Sequence, residues 1–397
     1  MTTLSILALV LCAMPLAYWF ILALASIRPP ASPALSGNRA AFRFAIAIAA
    51  YDEASVIRAT VQRLLDLEYP AELFRIHVVA DHCSDQTAKL AREAGATVHE
   101  RNKGPRTGKG AALSWLFERI LNDDCDAVVV FDSDTRVSAD FLRVMSARLA
   151  QGDRVVQGQH AISNPGHGWF PALTWAMFMI DNRFQNLGRT NLGWSAKNMG
   201  DSICFRADVL RKTGWGAGLT EDFQLRQRLL LERITIAYEP AAIGYGEAPA
   251  TWSQALKQRA RWLRGTSDAS QQLGRRLLIE AIERRSGALL DGALQAYLPS
   301  YSTLTLLFVT VFAGQLLVNW VFEPAFSSIV VGAWAAGAAS LMVYPLIGLA
   351  LERAPLKAYL VILTGPVFIL WRTWLALWSR AEGRQITWIR TAHGGRS

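Results

Sequence analysis

Apolar and polar positions divide this 397-residue chain into two apolar ends and a mixed middle. Residues 1–27 carry no charged side chain, and Leu4 to Ile27 is nearly all Leu, Ala, Ile, Val and aromatics. At ~1.5 Å per residue a helix over that run outreaches the ~30 Å hydrocarbon core of a bilayer. No Lys or Arg precedes it, which favours a retained span over a cleaved leader. Three more apolar segments, Leu298–Phe322, Phe326–Leu351 and Ala358–Trp378, lie toward the other end. Between the two ends, strand and helix patterns alternate. Phe42–Ala50, Ile76–Ala80, Thr97–His99 and Ala127–Phe131 are strand-like, while Glu53–Leu67, Asp85–Ala94 and Lys109–Leu121 are helical. The alternation predicts an α/β fold, a parallel sheet with helices on both faces. Beyond residue 150 it weakens. Trp169–Met179 is apolar and aromatic, Gly188–Ser202 is loop-like, and "LTEDFQLRQRLL" and "SQALKQRARWLRG" are helical.

Composition adds little to that picture, but charge adds an orientation. Apolar residues make up 52% of the chain and the formal net charge is +9, which suits a protein lying against anionic lipid. The middle has no compact Lys/Arg cluster with interleaved aromatics, so nucleic acid is not an expected partner. Cys12, Cys83, Cys125 and Cys204 lack metal-type spacing and count as plain side chains. A neutral N-terminal tail followed by Arg28, Arg39 and Arg43 places the middle segment in the cytoplasm. Three C-terminal spans would then leave Arg380, Arg384, Arg390 and Arg396 outside, against the same rule. The third segment contains Pro366, Arg372 and the tryptophans Trp371, Trp374 and Trp378, and could instead lie in or re-enter the interface. The expected organisation is a span over 1–27, an α/β domain over 28–250, amphipathic interface helices over 251–290, a membrane region over 298–379 and a basic tail over 380–397.

Acidic loops follow three of the predicted strands: "YDEAS" (Tyr51–Ser55), "DHCSDQT" (Asp81–Thr87) and "DSD" (Asp132–Asp134). Ligands of such sheets sit beyond the carboxyl ends of the strands, where these loops gather. Convergent carboxylates repel unless a cation or a hydrogen-bonding ligand joins them. Asp132 and Asp134 make a hard-oxygen pair suited to Mg²⁺ or Mn²⁺ on a diphosphate, although alone the spacing also fits an Asx-turn. Tyr51, Asp81 and Asp85 could flank a nucleobase or serve as turn residues. Lys109 follows a glycine at a helix start, where backbone amides favour phosphate, yet the stretch is not a Walker motif. Thr220-Glu221-Asp222 reads as an N-cap with two acids in the first turn, and equally as a site for Asp222 to act as general base. Gln258 and Arg261 share a helical face, with Trp262 beside them. Forked guanidinium donors suit phosphate and a flat indole suits a sugar ring. The other reading is a basic helix on the membrane, with Lys257, Arg259 and Arg264 facing headgroups.

The order of these motifs, from "AAYDEASVI", "VVADHCSDQTA", "GKGAAL" and "VVVFDSDT" to "GRTNLGW", "LTEDFQL" and "QRARWLRG", resembles the membrane-bound family 2 glycosyltransferases. These include the cellulose, hyaluronan and chitooligosaccharide synthases, and the chain is similar in particular to the subgroup associated with bacterial exopolysaccharide assembly. The resemblance covers about residues 42–266. It implies a GT-A fold in a bacterial inner-membrane, multi-pass enzyme that inverts the anomeric carbon of a nucleotide-sugar, with UDP as the expected nucleotide. It implies that Tyr51, Glu53, Asp81, Lys109 and Asp132 contact the donor, and that Asp132 and Asp134 hold Mg²⁺ or Mn²⁺. It makes Asp222, with Glu221, catalytic, and gives Gln258, Arg261 and Trp262 the leaving diphosphate and the acceptor. Two stretches depart from the pattern: Tyr-Asp-Glu stands where Asn often precedes Glu, and Gly200-Asp201-Ser202 replaces a Cys-Gly-rich segment. The acceptor is expected to be a growing glycan or, alternatively, a lipid-linked molecule receiving one sugar. About four spans are few for a polysaccharide channel, so an export partner or a second protomer is a further expectation. A non-catalytic nucleotide-sugar-binding scaffold is the alternative outside enzymes.

Overall fold

The computed structural model of the chain describes residues 2–30, 42–216, 220–249, 251–322 and 325–381. After a first helix, α1 (Thr2–Ala25), come β1 (Phe44–Ala50), α2 (Ile57–Leu65), β2 (Phe74–Asp81), α3 (Thr87–Glu93), β3 (Thr97–Arg101), α4 (Lys109–Ile120) and β4 (Ala127–Phe131). The expected alternation is present: β4 has the expected bounds, β2 and β3 are longer, and β1 and the three helices are shorter by one to six residues. There follow β5 (Arg136–Val137), α5 (Phe141–Ala150), β6 (Val155–Ile162), α6 (Trp169–Asp181), α7 (Gly188–Asn191), β7 (Ile203–Arg206), α8 (Ala207–Thr213), α9 (Glu221–Leu231) and β8 (Ile236–Gly246). A π-helical turn, Asn182–Leu187, joins α6 to α7.

Side chains on a strand alternate between faces, and here both faces are apolar. Phe44, Ile46, Ile48, Val129 and Phe131 pack with Ile57, Val61 and Leu64 of α2 and with Phe141 and Leu142 of α5. Ala45, Ala47, Val128 and Val130 pack on the other side with Leu113 and Leu116 of α4 and Leu225 and Leu229 of α9. The strand order is β3-β2-β1-β4-β7-β6-β8-β5. The sheet is mixed, not parallel throughout: β7 runs antiparallel to both β4 and β6, and β5 antiparallel to β8. The chain enters β7 at the edge where β4 leaves the sheet, so β7 must run the opposite way. That reversal sets Asp201, just before β7, beside Asp132, just after β4.

The C-terminal part comprises α10 (Trp252–Glu283), α11 (Gly287–Tyr297), α12 (Tyr301–Val321), α13 (Ser328–Leu351), α14 (Leu356–Ile362) and α15 (Gly365–Ala381). A capping box between Thr251 and Gln254 starts α10. Among the described residues three helices, α1, α12 and α13, are long and apolar enough to cross a membrane. They assemble around Ser5, whose hydroxyl accepts from Gln315 Nε2 at 2.7 Å and from Trp334 Nε1 at 2.9 Å. Large apolar residues such as Leu11, Trp320 and Ile329 point outward, as a lipid-facing surface requires. The third C-terminal segment is broken: α14 and the first part of α15 meet at 48°. Phe368 and Trp371 of α15 lean on Phe170 of α6, and Trp371 also meets Trp252 of α10. Arg39 and the tail beyond Ala381 lie outside the described residues, and the four cysteines are free.

Candidate active site

Strands β2, β1 and β4 are parallel neighbours, so their carboxyl ends share one edge. A cleft of about 1530 Å³ opens there, and all eleven site residues expected from the sequence line it. Three non-glycine residues around this edge, Asp52, His82 and Ser202, hold left-handed backbone conformations with φ of 53°, 54° and 55°. Such strain persists where surrounding contacts over-determine it, often near functional sites. Asp52 shows how. Its carboxylate accepts from Ser84 N at 2.7 Å and Asp85 N at 3.2 Å, tying the first loop to the second. Asp85 accepts from Ala54 N at 3.0 Å and Thr87 N at 2.9 Å; it acts as a turn residue and does not line the cleft.

At one end of the cleft Tyr51 carries the guanidinium of Arg106 3.9 Å from its ring centroid. Asp81 is buried and takes hydrogen bonds through Oδ1 from Arg101 and from His82 Nδ1. Glu53, also buried, has its backbone N–H donating to Thr87 Oγ1 at 2.7 Å. The ammonium of Lys109 contacts Asp132 Oδ1 and the carbonyl of Gly200 at 2.6 Å. Burial disfavours that charge, but Asp132 and Asp201 outweigh it and raise the Lys109 pKa.

Asp201 is the principal residue that sequence reasoning missed. It is 1% exposed. Its Oδ1 accepts from Asp132 N at 3.1 Å and from Thr135 Oγ1 at 3.1 Å, and its Oδ2 meets His160 Nδ1 at 3.1 Å. It therefore fixes the turn that presents Asp132 and Asp134. Burial opposes a charge on Asp201, yet His160 and Lys109 hold its carboxyl below the usual range. Its only sequence signal is its place in the divergent stretch Gly200-Asp201-Ser202.

Glu221 and Asp222 start α9. Thr220 occupies the N-cap position, but its side chain makes no cap bond; instead Asp222 Oδ1 accepts from its own neighbour, Phe223 N, at 2.8 Å. Burial pushes both carboxyls above their ordinary range. Asp222 adds to the rise in Glu221, and the Arg261 and Lys109 charges oppose it in both. Gly200, with φ of +75°, lets the loop pass Asp222: a Cβ there would lie 3.4 Å from Asp222 Oδ2. Gly265 lets α10 approach α9, because its Cβ would lie 2.5 Å from Thr220 Cγ2. Gly265→Val is expected to displace Thr220 and the acids after it and to lower turnover by about tenfold or more in a product-formation assay, since shifts of ~1 Å cost that much.

Gln258, Arg261 and Trp262 of α10 line the same cleft. Arg259 does too, contrary to the headgroup-facing reading of that helix: its guanidinium lies 4.7 Å from the Trp262 ring centroid. From there the cleft continues to Tyr18 and Trp19 of α1 and to Arg372 of α15. The donor set at Asp132 and Asp134 consists of carboxylate oxygens, with the Asp132 side chain about half exposed at 47%. Hard divalent ions such as Mg²⁺ or Mn²⁺ fit that chemistry.

Residues 41–265 match the sequence family described as "Glycosyltransferase like family 2". Among curated proteins, the probable glycosyltransferase YdaM of Bacillus subtilis is 26% identical over 242 residues, which are 56% of this chain and 55% of that protein. The beta-monoglucosyldiacylglycerol synthase of Trichormus variabilis is 30% identical over 233 residues, 55% of this chain and 48% of that one. The chain thus spans about half the length of these relatives. Among solved structures, mannosyltransferase PcManGT of Pyrobaculum calidifontis, in complex with GDP-Man and Mn²⁺, superposes with a TM-score of 0.55. The match covers 89% of this chain and 96% of that one at 16% identity, a likeness of fold.

Proposed function

The chain belongs to the family 2 glycosyltransferases and has their GT-A-type α/β fold, and on that premise we propose that it moves a sugar from a nucleotide-sugar, UDP-linked in the first instance, to an acceptor hydroxyl at the cytoplasmic face of a bacterial inner membrane. The observation that carries this reading is the single cleft, which joins the acidic strand ends to the N-terminus of α9, the Gln258–Trp262 segment and the membrane helices. Tyr51, Glu53 and Asp81 hold the nucleoside end. Asp132 and Asp134 would hold the divalent cation, which when bound neutralises the donor's diphosphate. Lys109 and Arg261 bring further positive charge to that group, and Trp262 gives the acceptor a flat apolar platform. Asp222 takes the proton from the attacking hydroxyl. The new bond forms at the anomeric carbon as its bond to the phosphate oxygen breaks; the electron pair leaves with the nucleoside diphosphate and the carbon inverts. Glu221, buried beside Asp222, helps set the field in which that base works.

Two acceptors suit the chain: a growing exopolysaccharide, or a lipid-linked molecule taking one sugar. The cleft favours the second, because Tyr18, Trp19 and Arg372 of the membrane-side helices form part of its wall. Purified full-length protein, presented with a panel of UDP- and GDP-sugars, tests both readings. Nucleotide release with one product of fixed size supports single transfer, a ladder supports extension, and no release with any donor would overturn the proposal. Asp134→Ala is expected to raise the Mg²⁺ or Mn²⁺ concentration for half-maximal rate by about tenfold or more, as losses around a metal site do. An unchanged metal dependence would take Asp134 out of the ion site.

A further inference from the structure

At the end of the cleft away from the strand edge two guanidinium groups, those of Arg259 and Arg372, share one wall. Arg259, on α10, sits 4.7 Å from the ring centroid of Trp262 and 5.7 Å from that of Phe368 on α15. Its Nε is shielded from solvent and has no hydrogen-bond partner among the described residues. Arg372 lies one turn beyond Phe368 on the same helix and lines the same cleft. Burial first, and the positive field of Arg372 second, lower the Arg259 pKa to about 9. The acid that counters both arginines is Asp181, and Lys197 Nζ already holds it at 2.6 Å. Three cations therefore face one carboxylate. Trp371, between the two helices, also has a buried Nε1 without a hydrogen-bond partner among the described residues. Shielded like charges with unused donors are unfavourable unless an anion completes them. The surroundings say where that anion comes from. Arg259 sits beside Phe368, which packs with Phe170 and Trp371, and the bent helix pair carries Leu363, Val367 and Leu370 exposed.

We propose that Arg259 and Arg372 form a subsite for a phosphate group carried on a lipid chain, one that enters the cleft from the bilayer. Fork-shaped guanidinium donors bind phosphate oxygens in pairs, and the apolar rings around them accept the first part of the chain. The subsite deepens the function proposed above and rests on it in one respect: it makes the acceptor a lipid-borne phosphate ester whose hydroxyl lies toward Trp262 and Asp222.

The test uses the full-length protein in dodecyl maltoside, titrated with monododecyl phosphate or inorganic phosphate. Wild-type protein is expected to bind monododecyl phosphate saturably and at least tenfold more tightly than inorganic phosphate. Arg259→Gln and Arg372→Gln each weaken that binding tenfold or more, and Arg264→Gln, on the same helix but away from the cleft, leaves it unchanged. Arg259→Lys and Arg372→Lys keep a positive charge and an intermediate affinity, which carries the test should a Gln variant fail to fold. Equal affinity for the two phosphates, undiminished binding in both Gln variants, or equal weakening by Arg264→Gln would each overturn the subsite. Nucleotide release is followed in the same preparations. Binding without release counts against the proposed transfer and not against the subsite; release with undiminished binding in the variants does the reverse.

Discussion

Asp222→Asn abolishes nearly all sugar transfer, lowering turnover by about 10²–10⁴-fold, the range a general base contributes, while affinity for the nucleotide-sugar stays close to that of the unaltered protein. The amide keeps the shape of the side chain and its bond from Phe223 N, so the loss isolates proton transfer from packing. The pH profile supplies a second check. Burial raises the Asp222 carboxyl above its ordinary range, and a base works only when deprotonated. Rate must therefore climb with pH through a value above the usual carboxylate range and fall away below it. Glu221→Gln should leave substantial activity, because burial and the Asp222 charge already push the Glu221 carboxyl above its ordinary range and the proton is taken by Asp222. Near-normal turnover by Asp222→Asn would remove this residue from the chemistry.

The largest expected loss of stability comes from a residue with no part in the reaction. Asp291, on α11, is 0% exposed, and Arg189 and Arg226 are each 1% exposed. Both oxygens of Asp291 lie 3.0 Å from Arg189 Nε, and Oδ2 is 2.6 Å from Arg226 Nη2. Tyr18 of α1 donates its hydroxyl to Oδ1 at 2.8 Å, and Gln295 donates to Oδ2 at 3.0 Å. Arg226 also donates to the carbonyls of Ser195 and Ala196. One carboxylate thus links α1, the loop before β7, the acid-bearing α9 and α11. Asp291→Ala leaves two buried guanidinium charges uncompensated, and breaking such a network costs about 3–5 kcal/mol. That is a large share of the ~5–15 kcal/mol by which folded proteins are stable. Thermal unfolding in detergent should show it as a marked fall in midpoint, and an unchanged midpoint would refute it.

The sign of the pH effect follows from the same contacts. Burial opposes the Asp291 charge, but Arg189 and Arg226 outweigh it and hold its carboxyl below the usual range. Its stabilisation is therefore full above the unfolded carboxylate pKa of ~3.9 and is lost as pH falls through the lower folded value. The alanine variant should lack this component of acid destabilisation.

What the sequence by itself determined here is what near neighbours along the chain decide. Charge-free runs of more than twenty residues can only be membrane-length helices. The runs Phe44–Ala50 and Ala127–Phe131, short and apolar on both faces, read as buried strands by their length and alternation with helices. Acids placed directly after such strands meet at one edge here because β2, β1 and β4 run parallel. Tertiary structure decided everything that depends on distant segments meeting. The polar Gln157 and His160 obscured β6, and the four-residue β7 is too short to show a period, so its reversal and the approach of Asp201 to Asp132 were not legible. Arg189, Arg226 and Asp291 each resemble a solvated charge in sequence; only the packing of α7 against α1 and of α9 against α11 makes them one buried network. Arg259 belongs to the same class. Local pattern turned it toward headgroups, and the fold of α15 onto α10 turned it into the cleft, because pairing between remote segments leaves no local period to read.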